Sequence, residues 1–205
     1  FHLSCRPQVP RWRLLARRVP SRSMTVVGDL AQTSNGAGAR SWAQALDEVT
    51  RGVWRVEELT INYRTPARIA RLADRVLAAM DRDVSAPRAV REGDHDPVDH
   101  PVADLATGVV EVVRELVALP GRSVVVAPSG QVAPLHAALV AAGIEAATGA
   151  GGLDTLVAVM TPTQVKGLEF DYVVMVDVNE SGYPDAAWAR HLLHICVTRA
   201  AHQLW

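Results

Sequence analysis

Short apolar runs alternate with amphipathic segments along this chain, and that alternation limits the possible folds more than any other feature. Apolar runs of four or five residues occur at 123–127, 156–160 and 172–176. Between such runs, longer segments keep one apolar face at helical spacing, as in 65–80. Buried strands that alternate with helices are typical of a parallel sheet covered on both faces. The sequence therefore predicts an α/β fold with a parallel sheet flanked by helices.

Other segments extend this pattern over most of the chain. The predicted strands and helices outside the three apolar runs are strands at 24–27 and 54–59 and helices at 42–49, 65–80, 102–119, 132–142 and 188–200. Residues 81–101 are rich in Pro, Asp, His and Arg and are predicted to form a polar loop. We expect one α/β unit to end and another to begin near 52–58.

Composition excludes several classes of protein. The 205 residues suffice for one large domain or for one domain and part of another. A hydrophobic fraction of 49% is typical of a soluble protein, and a net charge of -1 gives no overall basicity that would indicate nucleic-acid binding. The apolar runs are too short to span a membrane. Cys5 and Cys196 form no spaced framework, which favours a reduced protein of the bacterial cytoplasm.

A single lysine decides one question about nucleotide binding. Lys166 is the only lysine, and the other 20 of the 21 basic residues are arginine. A Walker A phosphate loop needs Gly-Lys followed by Ser or Thr, because the lysine ammonium must reach the terminal phosphates. Lys166 is followed by Gly167. Residues 1–205 therefore contain no Walker A loop.

Four polar segments lie at the ends of predicted strands or the starts of predicted helices, at 27–32, 59–66, 160–171 and 192–200. Taken singly, they have ordinary interpretations. Gly-Asp after a strand is usually a turn, Tyr63 can pack on a sheet edge while Arg64 lies on the surface, and Arg199 can extend from its helix to water. Polar residues and a lone lysine between two apolar strands are harder to explain by solubility alone.

Together the four segments resemble motifs III, IV, V and VI of superfamily 1 helicases of the UvrD/Rep/PcrA type. The most specific pieces are Asn62-Tyr63-Arg64, Lys-Gly-Leu-Glu-Phe at 166–170 and Val-Thr-Arg-Ala at 197–200. The resemblance covers 26–201 and implies a RecA-like fold. It assigns 1–55 to the C-terminal remnant of a first RecA-like domain with motif III. Residues 56–205 become a second RecA-like domain with motifs IV, V and VI, truncated at its C-terminus.

The resemblance also implies catalytic residues. In that family two RecA-like domains bind ATP between them, and arginines of the second domain reach the γ-phosphate. Arg64 and Arg199 match those arginines, whose planar, permanently charged guanidinium suits a phosphoryl oxyanion. Gln32 matches the motif III glutamine that senses the γ-phosphate, with Asp29 beside it.

Further residues are assigned by the same resemblance to ATP or to nucleic acid. Tyr63 matches the residue that stacks near the adenine, and Glu169 matches the acid that hydrogen-bonds the nucleotide sugar. Thr161 and Gly167 match positions near the nucleic-acid backbone, and Gly167 is assigned to ATP as well. Open α/β sheets bind ligands at the carboxyl ends of their strands. We therefore expect Asp29, Arg64, Gly167 and Arg199 to gather along that edge.

The sequence departs from the family in two places. Residues 1–7, where the Walker B acids would lie, contain no acidic pair, and the first acid of the chain is Asp29. The expected cofactors are ATP and Mg²⁺, with the Mg²⁺ ligands in the missing first domain, and the chain alone is predicted to be an inactive fragment. Thr163 stands where many of these helicases have histidine. No histidine is assigned to a metal site, because His191 and His194 are expected to pack and the Asp and His residues of 94–100 to form a solvated turn.

Three functions stay open from the sequence. The first is the second half of an ATP-driven helicase or translocase, with DNA as the expected nucleic acid and the missing first domain as a partner. The second is a HelD-like ATPase that remodels or releases RNA polymerase. The short spacer at 178–189 and the amino-acid sequence of 87–92 favour this function. The third is an inactive remnant. The sequence does not determine translocation polarity, the choice between DNA and RNA, or the oligomeric state.

Overall fold

A computed structural model describes residues 14, 16–19, 21, 23–30, 41–80 and 85–205. From Trp42 onward the elements, in chain order, are α1 (Trp42–Thr50), β1 (Ile61–Asn62), α2 (Ala67–Ala78), β2 (Arg88–Ala89), α3 (Leu105–Leu116), β3 (Ser123–Val126), α4 (Ser129–Ala141), β4 (Ala146–Thr148), a 3₁₀ turn (Gly149–Leu153), β5 (Val157–Met160), β6 (Phe170–Met175), α5 (Ala187–Val197) and β7 (Ala200–Leu204). No helix within these described ranges is long and apolar enough to cross a membrane.

Five strands form one fully parallel sheet in the order β4-β5-β3-β6-β7. Strand β3 lies at its centre, and all four of its residues are buried, as are all four of β5. Such strands read as continuous apolar runs because both faces of a parallel sheet are covered. The predicted fold class, a parallel sheet flanked by helices, is confirmed.

Helices cover both faces of this sheet, and the alternation of side chains along each strand divides the core in two. On one face, Val124 and Val126 pack with residues of α2 and α5, including Ile69 and Ile195. On the other face, Val125 packs with residues of α3 and α4. Burial of each large apolar side chain contributes about 1.5–3 kcal/mol, so these two clusters dominate the stability of the domain.

Several predicted elements differ from the structure. Residues 24–27 and 54–59, predicted as strands, lie outside any described strand, and Val27, Val56 and Leu59 are exposed. An alternating pattern alone does not make a strand, because a strand also needs a neighbour to pair with. The helix predicted at 188–200 ends at Val197, and the strand β7 that follows was not predicted. Its sequence, Ala-Ala-His-Gln-Leu, has weak β-propensity, and only pairing with β6 makes it a strand.

The predicted polar loop at 81–101 also contains a short strand. Its residues Arg88 and Ala89 pair in parallel with β1, and the ladder continues as Val90 donates to the carbonyl of Asn62 at 3.0 Å. Helix α2 begins beside this segment without a side-chain cap. The carbonyl of Arg91 accepts instead from the amide of Ala67, at 2.7 Å. The segment 88–92 therefore takes the place of a capping side chain at the start of α2.

We expect substitution of Gly93 by alanine to lower the free energy of unfolding by about 1–3 kcal/mol. Gly93 has a φ of 85°, and a Cβ atom there would lie 2.5 Å from the Cβ of Pro66, the N-cap residue of α2. The control is Gly130→Ala in α4, where a Cβ meets nothing within 4 Å and stability should stay unchanged or rise slightly. Urea unfolding of both variants measures the difference, and an unchanged midpoint for Gly93→Ala would contradict this account of the turn.

Candidate functional site

Arg199 lies in the connection between α5 and β7, and its side chain turns into the protein. Only 3% of the residue is exposed. Its guanidinium donates from Nε to the carbonyl of Ile195 at 3.0 Å, from Nη1 to the carbonyl of Leu168 at 3.1 Å, and from Nη2 to Oγ1 of Thr198 at 3.1 Å. All three acceptors are uncharged. The ordinary interpretation of Arg199, an arginine that extends from a helix end to water, is therefore wrong.

Burial and a neighbouring cation both act against the charge of Arg199. Burial removes its guanidinium from water, the positive charge of Arg64 adds repulsion, and together they lower the pKa of Arg199 to about 10. The carboxylates of Glu169 and Asp29 oppose this shift. A pKa of about 10 still leaves the group charged at neutral pH. The site thus holds a desolvated cation whose hydrogen bonds go to neutral acceptors, an arrangement that favours an incoming anion.

Arg64 approaches Arg199 from the loop between β1 and α2. The side-chain oxygen of Asn62 accepts from the amides of Arg64 and Thr65, both at 3.1 Å, and this turn fixes the loop. The Nη1 atom of Arg64 forms an ion pair with Oε1 of Glu169, and its Nη2 donates to the carbonyl of Thr198 at 3.2 Å. Its Nε is buried without a hydrogen-bond partner. The structure therefore brings Arg64, Glu169 and Arg199 together.

This group lies at the amino ends of the strands, opposite to the edge that we expected. Glu169 directly precedes β6, and Arg199 directly precedes β7. The expectation of the carboxyl edge was wrong for Glu169 and Arg199, because Glu169 ends the segment 161–169 that returns from the end of β5 to the start of β6, and Arg199 follows helix α5. Gly167 lies in the segment 161–169, which we call the return crossing because it leads from the end of β5 back to the start of β6. Its φ is 82°, a conformation that glycine adopts without strain.

Thr161 occupies the other edge of the sheet. It directly follows β5 and therefore lies at the carboxyl ends of the strands. A four-residue parallel strand spans about 13 Å, which separates Thr161 from the group around Glu169. The amide of Thr161 donates to Oε1 of Gln164 at 2.8 Å, and its hydroxyl lies 3.0 Å from that of Thr163. Gln164, for which the sequence pattern predicted no role, fixes this turn.

Three predicted site residues remain: Tyr63 is exposed, Asp29 acts on the buried region of the arginines, and Gln32 lies outside the described residues. Tyr63 is 80% exposed, so the ordinary interpretation in which it packs on a sheet edge is wrong. Burial lowers the pKa of His194, and the carboxylate of Asp29 opposes that shift as it opposes the shift of Arg199. Asp29 thus acts on the same buried region as the arginines. Gln32 lies outside the residues that the structure describes.

One arginine beside the site received no role from the sequence. The Nη2 atom of Arg91 donates to the carbonyl of Arg64 at 2.5 Å and also to the carbonyl of Ala201. Arg91 belongs to the stretch 87–92, whose sequence favoured the HelD-like branch but indicated no role for Arg91 at the site. No spacing rule identifies such a residue, because its partners are backbone atoms 27 and 110 positions away.

The two histidines and the cysteine of α5 are buried in the protein. His191 and His194 are buried, and the ring of His191 bonds the carbonyl of Ala187. Burial raises the pKa of the Cys196 thiol to about 12, so the thiol is not ionised at neutral pH. Within the described ranges no group of three or more His, Cys, Asp and Glu residues could hold a metal ion.

Comparisons with known proteins match part of this sequence and its fold. Residues 156–205 match the family model of the UvrD-like helicase C-terminal domain. The match runs from β5 to β7 and includes Thr161, Gly167, Glu169 and Arg199. The C-terminal domain of a possible DNA helicase from Lactobacillus plantarum WCFS1 has a similar structure, with a TM-score of 0.52 and 22% identity. The alignment covers 70% of this chain and 84% of that chain. The comparison with curated proteins gives no match.

The parallel sheet and its helices therefore have the fold of a helicase C-terminal, RecA-like domain. The resemblance to UvrD-type helicases that the motifs indicated is confirmed for 156–205. The division of the chain at residue 55, the HelD-like branch and the roles of individual residues stay predictions.

Proposed function

We propose that this chain forms the second half of an ATP-driven helicase or translocase motor and supplies Arg64 and Arg199 to the γ-phosphate of ATP. One observation carries the proposal. Arg64 and Arg199 come from different loops: Arg64 pairs with the carboxylate of Glu169, and the more deeply buried Arg199 donates to neutral acceptors. Three arginines, Arg64, Arg91 and Arg199, face two carboxylates, Glu169 and Asp29, and this excess of positive charge suits a polyanionic ligand.

The chemistry of phosphoryl transfer explains why arginine is used. Charge spreads over the equatorial oxygens of the transferred phosphoryl group, and catalysis consists mainly of positioning and electrostatic stabilisation. A guanidinium fixed in advance by protein carbonyls needs no reorganisation when that charge develops. Arginines in this role accelerate hydrolysis by roughly 10³–10⁵-fold in other enzymes. The carbonyls of Ile195 and Leu168 hold Arg199 in such a fixed position.

The other proposed ATP contacts surround the two arginines. Glu169 pairs with Arg64 in the structure, and we assign it to the nucleotide sugar when ATP is bound. Tyr63 offers its exposed ring to the adenine, and Gly167 approaches the nucleotide as backbone. We assign Asp29 and Gln32 to the contact between motif III and the γ-phosphate. Mg²⁺ would neutralise the phosphates of bound ATP, and its ligands are expected in the unit that carries the phosphate loop, because residues 1–205 lack one.

Nucleic acid is proposed to bind at the opposite edge of the sheet. Thr161 and its partners Thr163 and Gln164 form a polar turn there, at the carboxyl end of β5. Hydroxyl and amide groups of this kind bind phosphate and sugar without reading the sequence. Gly167 was assigned to both ligands, and its place in the return crossing before Glu169 favours the ATP side. The segment 161–169 would then connect the two sites directly.

We expect the chain alone to show no ATP turnover. Residues 1–205 lack the Walker A lysine that would bind the terminal phosphates, and residues 1–7 lack an acidic pair for Mg²⁺. A steady-state phosphate-release assay on the purified chain measures this. EDTA-sensitive turnover that exceeds the turnover of an Arg199→Ala control would contradict the prediction.

The complete ATPase, in which this chain acts together with the unit that supplies the phosphate loop, tests the proposed function. Stimulation of phosphate release by single-stranded DNA or RNA supports the helicase or translocase. Stimulation by RNA polymerase alone, without nucleic acid, supports the HelD-like alternative. Absence of ATP binding and turnover under all these conditions would identify an inactive remnant and overturn the proposal.

A further inference from the structure

Arg91 connects the two loops that carry the proposed catalytic arginines. Its Nη2 donates to the carbonyl of Arg64 itself, at 2.5 Å, and to the carbonyl of Ala201, two residues beyond Arg199. The two acceptors belong to segments separated by more than half of the chain. One side chain therefore joins the loop after β1 to the start of β7.

The backbone around Arg91 is itself fixed to the Arg64 loop. The amide of Val90 donates to the carbonyl of Asn62 at 3.0 Å, and Asn62 holds the amides of Arg64 and Thr65. The carbonyl of Arg91 accepts from the amide of Ala67 at 2.7 Å. Residues on both sides of Arg64 are thus tied to the segment that carries Arg91. The guanidinium of Arg91 adds the connection to β7 that the backbone does not make.

The chemistry of these contacts suggests more than a structural role. Both acceptors of Arg91 are backbone carbonyls, and its Nε is buried without a hydrogen-bond partner. A further cation beside Arg64 has an electrostatic cost, since like charges repel. A neutral donor would connect the same carbonyls without that cost. Arginine here fits a site that is completed by an anion.

We propose that Arg91 is a positioning residue, which fixes the spacing between Arg64 and Arg199 so that both reach one phosphoryl group. This inference rests on the proposed function. Effective catalysis needs charged groups held close to their productive geometry, and a displacement of about 1 Å can cost about 10²-fold in rate. Arg91 acts through the carbonyls of Arg64 and Ala201 and does not itself contact the substrate.

The test compares Arg91→Met, Arg91→Lys and Arg88→Met in the complete ATPase. Methionine keeps much of the apolar stem of arginine but donates no hydrogen bond, whereas lysine keeps the charge and can reach one carbonyl. Arg88 is an exposed arginine three residues earlier on the same segment and serves as the matched control. We expect Arg91→Met to lower kcat at least about 10-fold with KM for ATP changed less than about 3-fold. Arg91→Lys should recover part of the loss, and Arg88→Met should match the wild type.

A double-mutant cycle separates positioning from stability. In an Arg64→Ala background, Arg91→Met should lower kcat by a smaller factor than in the wild type, because one of the two groups that it positions is already absent. The same factor in both backgrounds would overturn the inference, as would a normal kcat for Arg91→Met. If Arg91→Met does not fold, Arg91→Lys and Arg91→Gln replace it, since each keeps a donor but not the two-carbonyl reach of the guanidinium. A kcat below the wild type in both variants, with KM for ATP little changed, supports the inference, and a normal kcat in both overturns it. Normal kcat in Arg64→Ala and Arg199→Ala would instead refute the proposed function.

Discussion

Replacement of Arg199 or Arg64 by alanine is expected to lower kcat of the complete ATPase by at least ~10²-fold, while affinity for ATP changes far less. An arginine that reaches the γ-phosphate acts mainly when charge shifts in the transition state. Lysine at either position should restore little, because an ammonium group lacks the planar fork of guanidinium. Steady-state kcat and KM, measured with melting temperature on the same variants, test this expectation.

The two arginines differ in what alanine should do to stability. Arg199 is buried, and its replacement leaves the carbonyls of Ile195 and Leu168 without the guanidinium donors. The melting temperature of Arg199→Ala should therefore fall. Arg64 is only partly buried, and its variant should melt closer to the wild type. Arg114→Ala, an exposed position of α3 on the other face of the sheet, is the control. Normal kcat in either variant would remove that residue from the site, and a loss of activity that follows melting temperature alone would make both arginines structural.

Tyr63→Ala should weaken nucleotide binding by the ~1–3 kcal/mol of a lost base stack, a decrease in affinity of roughly 5- to 150-fold. Because Tyr63 is 80% exposed, its ring contributes little packing to the fold, and the melting temperature of Tyr63→Ala should stay unchanged. Tyr63→Phe keeps the ring and should bind nearly as the wild type does. Titration of the complete ATPase with a fluorescent ATP analogue measures these affinities. Equal affinity of the alanine and wild-type proteins would remove Tyr63 from the nucleotide site.

The pattern of the sequence determined the class of fold and the general content of the site. Buried strands of a parallel sheet must be apolar along their whole length, and this requirement made the strands near 123–127, 156–160 and 172–176 predictable. The polar residues of motifs IV, V and VI were noticeable because they interrupt apolar runs at short spacing. Local pattern also placed the start of α2 at Thr65-Pro66, within two residues of the observed Ala67.

Long-range contacts decided the rest. Strand β7 exists because β6 supplies its hydrogen-bond partners, since its own residues have weak β-propensity. The burial of Arg199 depends on the carbonyl of Leu168, 31 residues earlier in the chain. The arginines meet at the amino edge of the sheet because the chain returns from the end of β5 to the start of β6. The pattern of residue types along the sequence does not show that path.

The sequence by itself determined which residue types are present and where along the chain apolar faces recur, because side-chain periodicity reflects local backbone geometry. It thereby determined a parallel α/β sheet and the identity of Arg64, Glu169 and Arg199 as candidates. Only the tertiary structure decided that these three meet at the amino edge, that Thr161 lies at the other edge, and that Arg91 joins the two arginine loops. The physical reason is that these arrangements depend on hydrogen bonds and ion pairs between distant segments, whose partners no local pattern specifies.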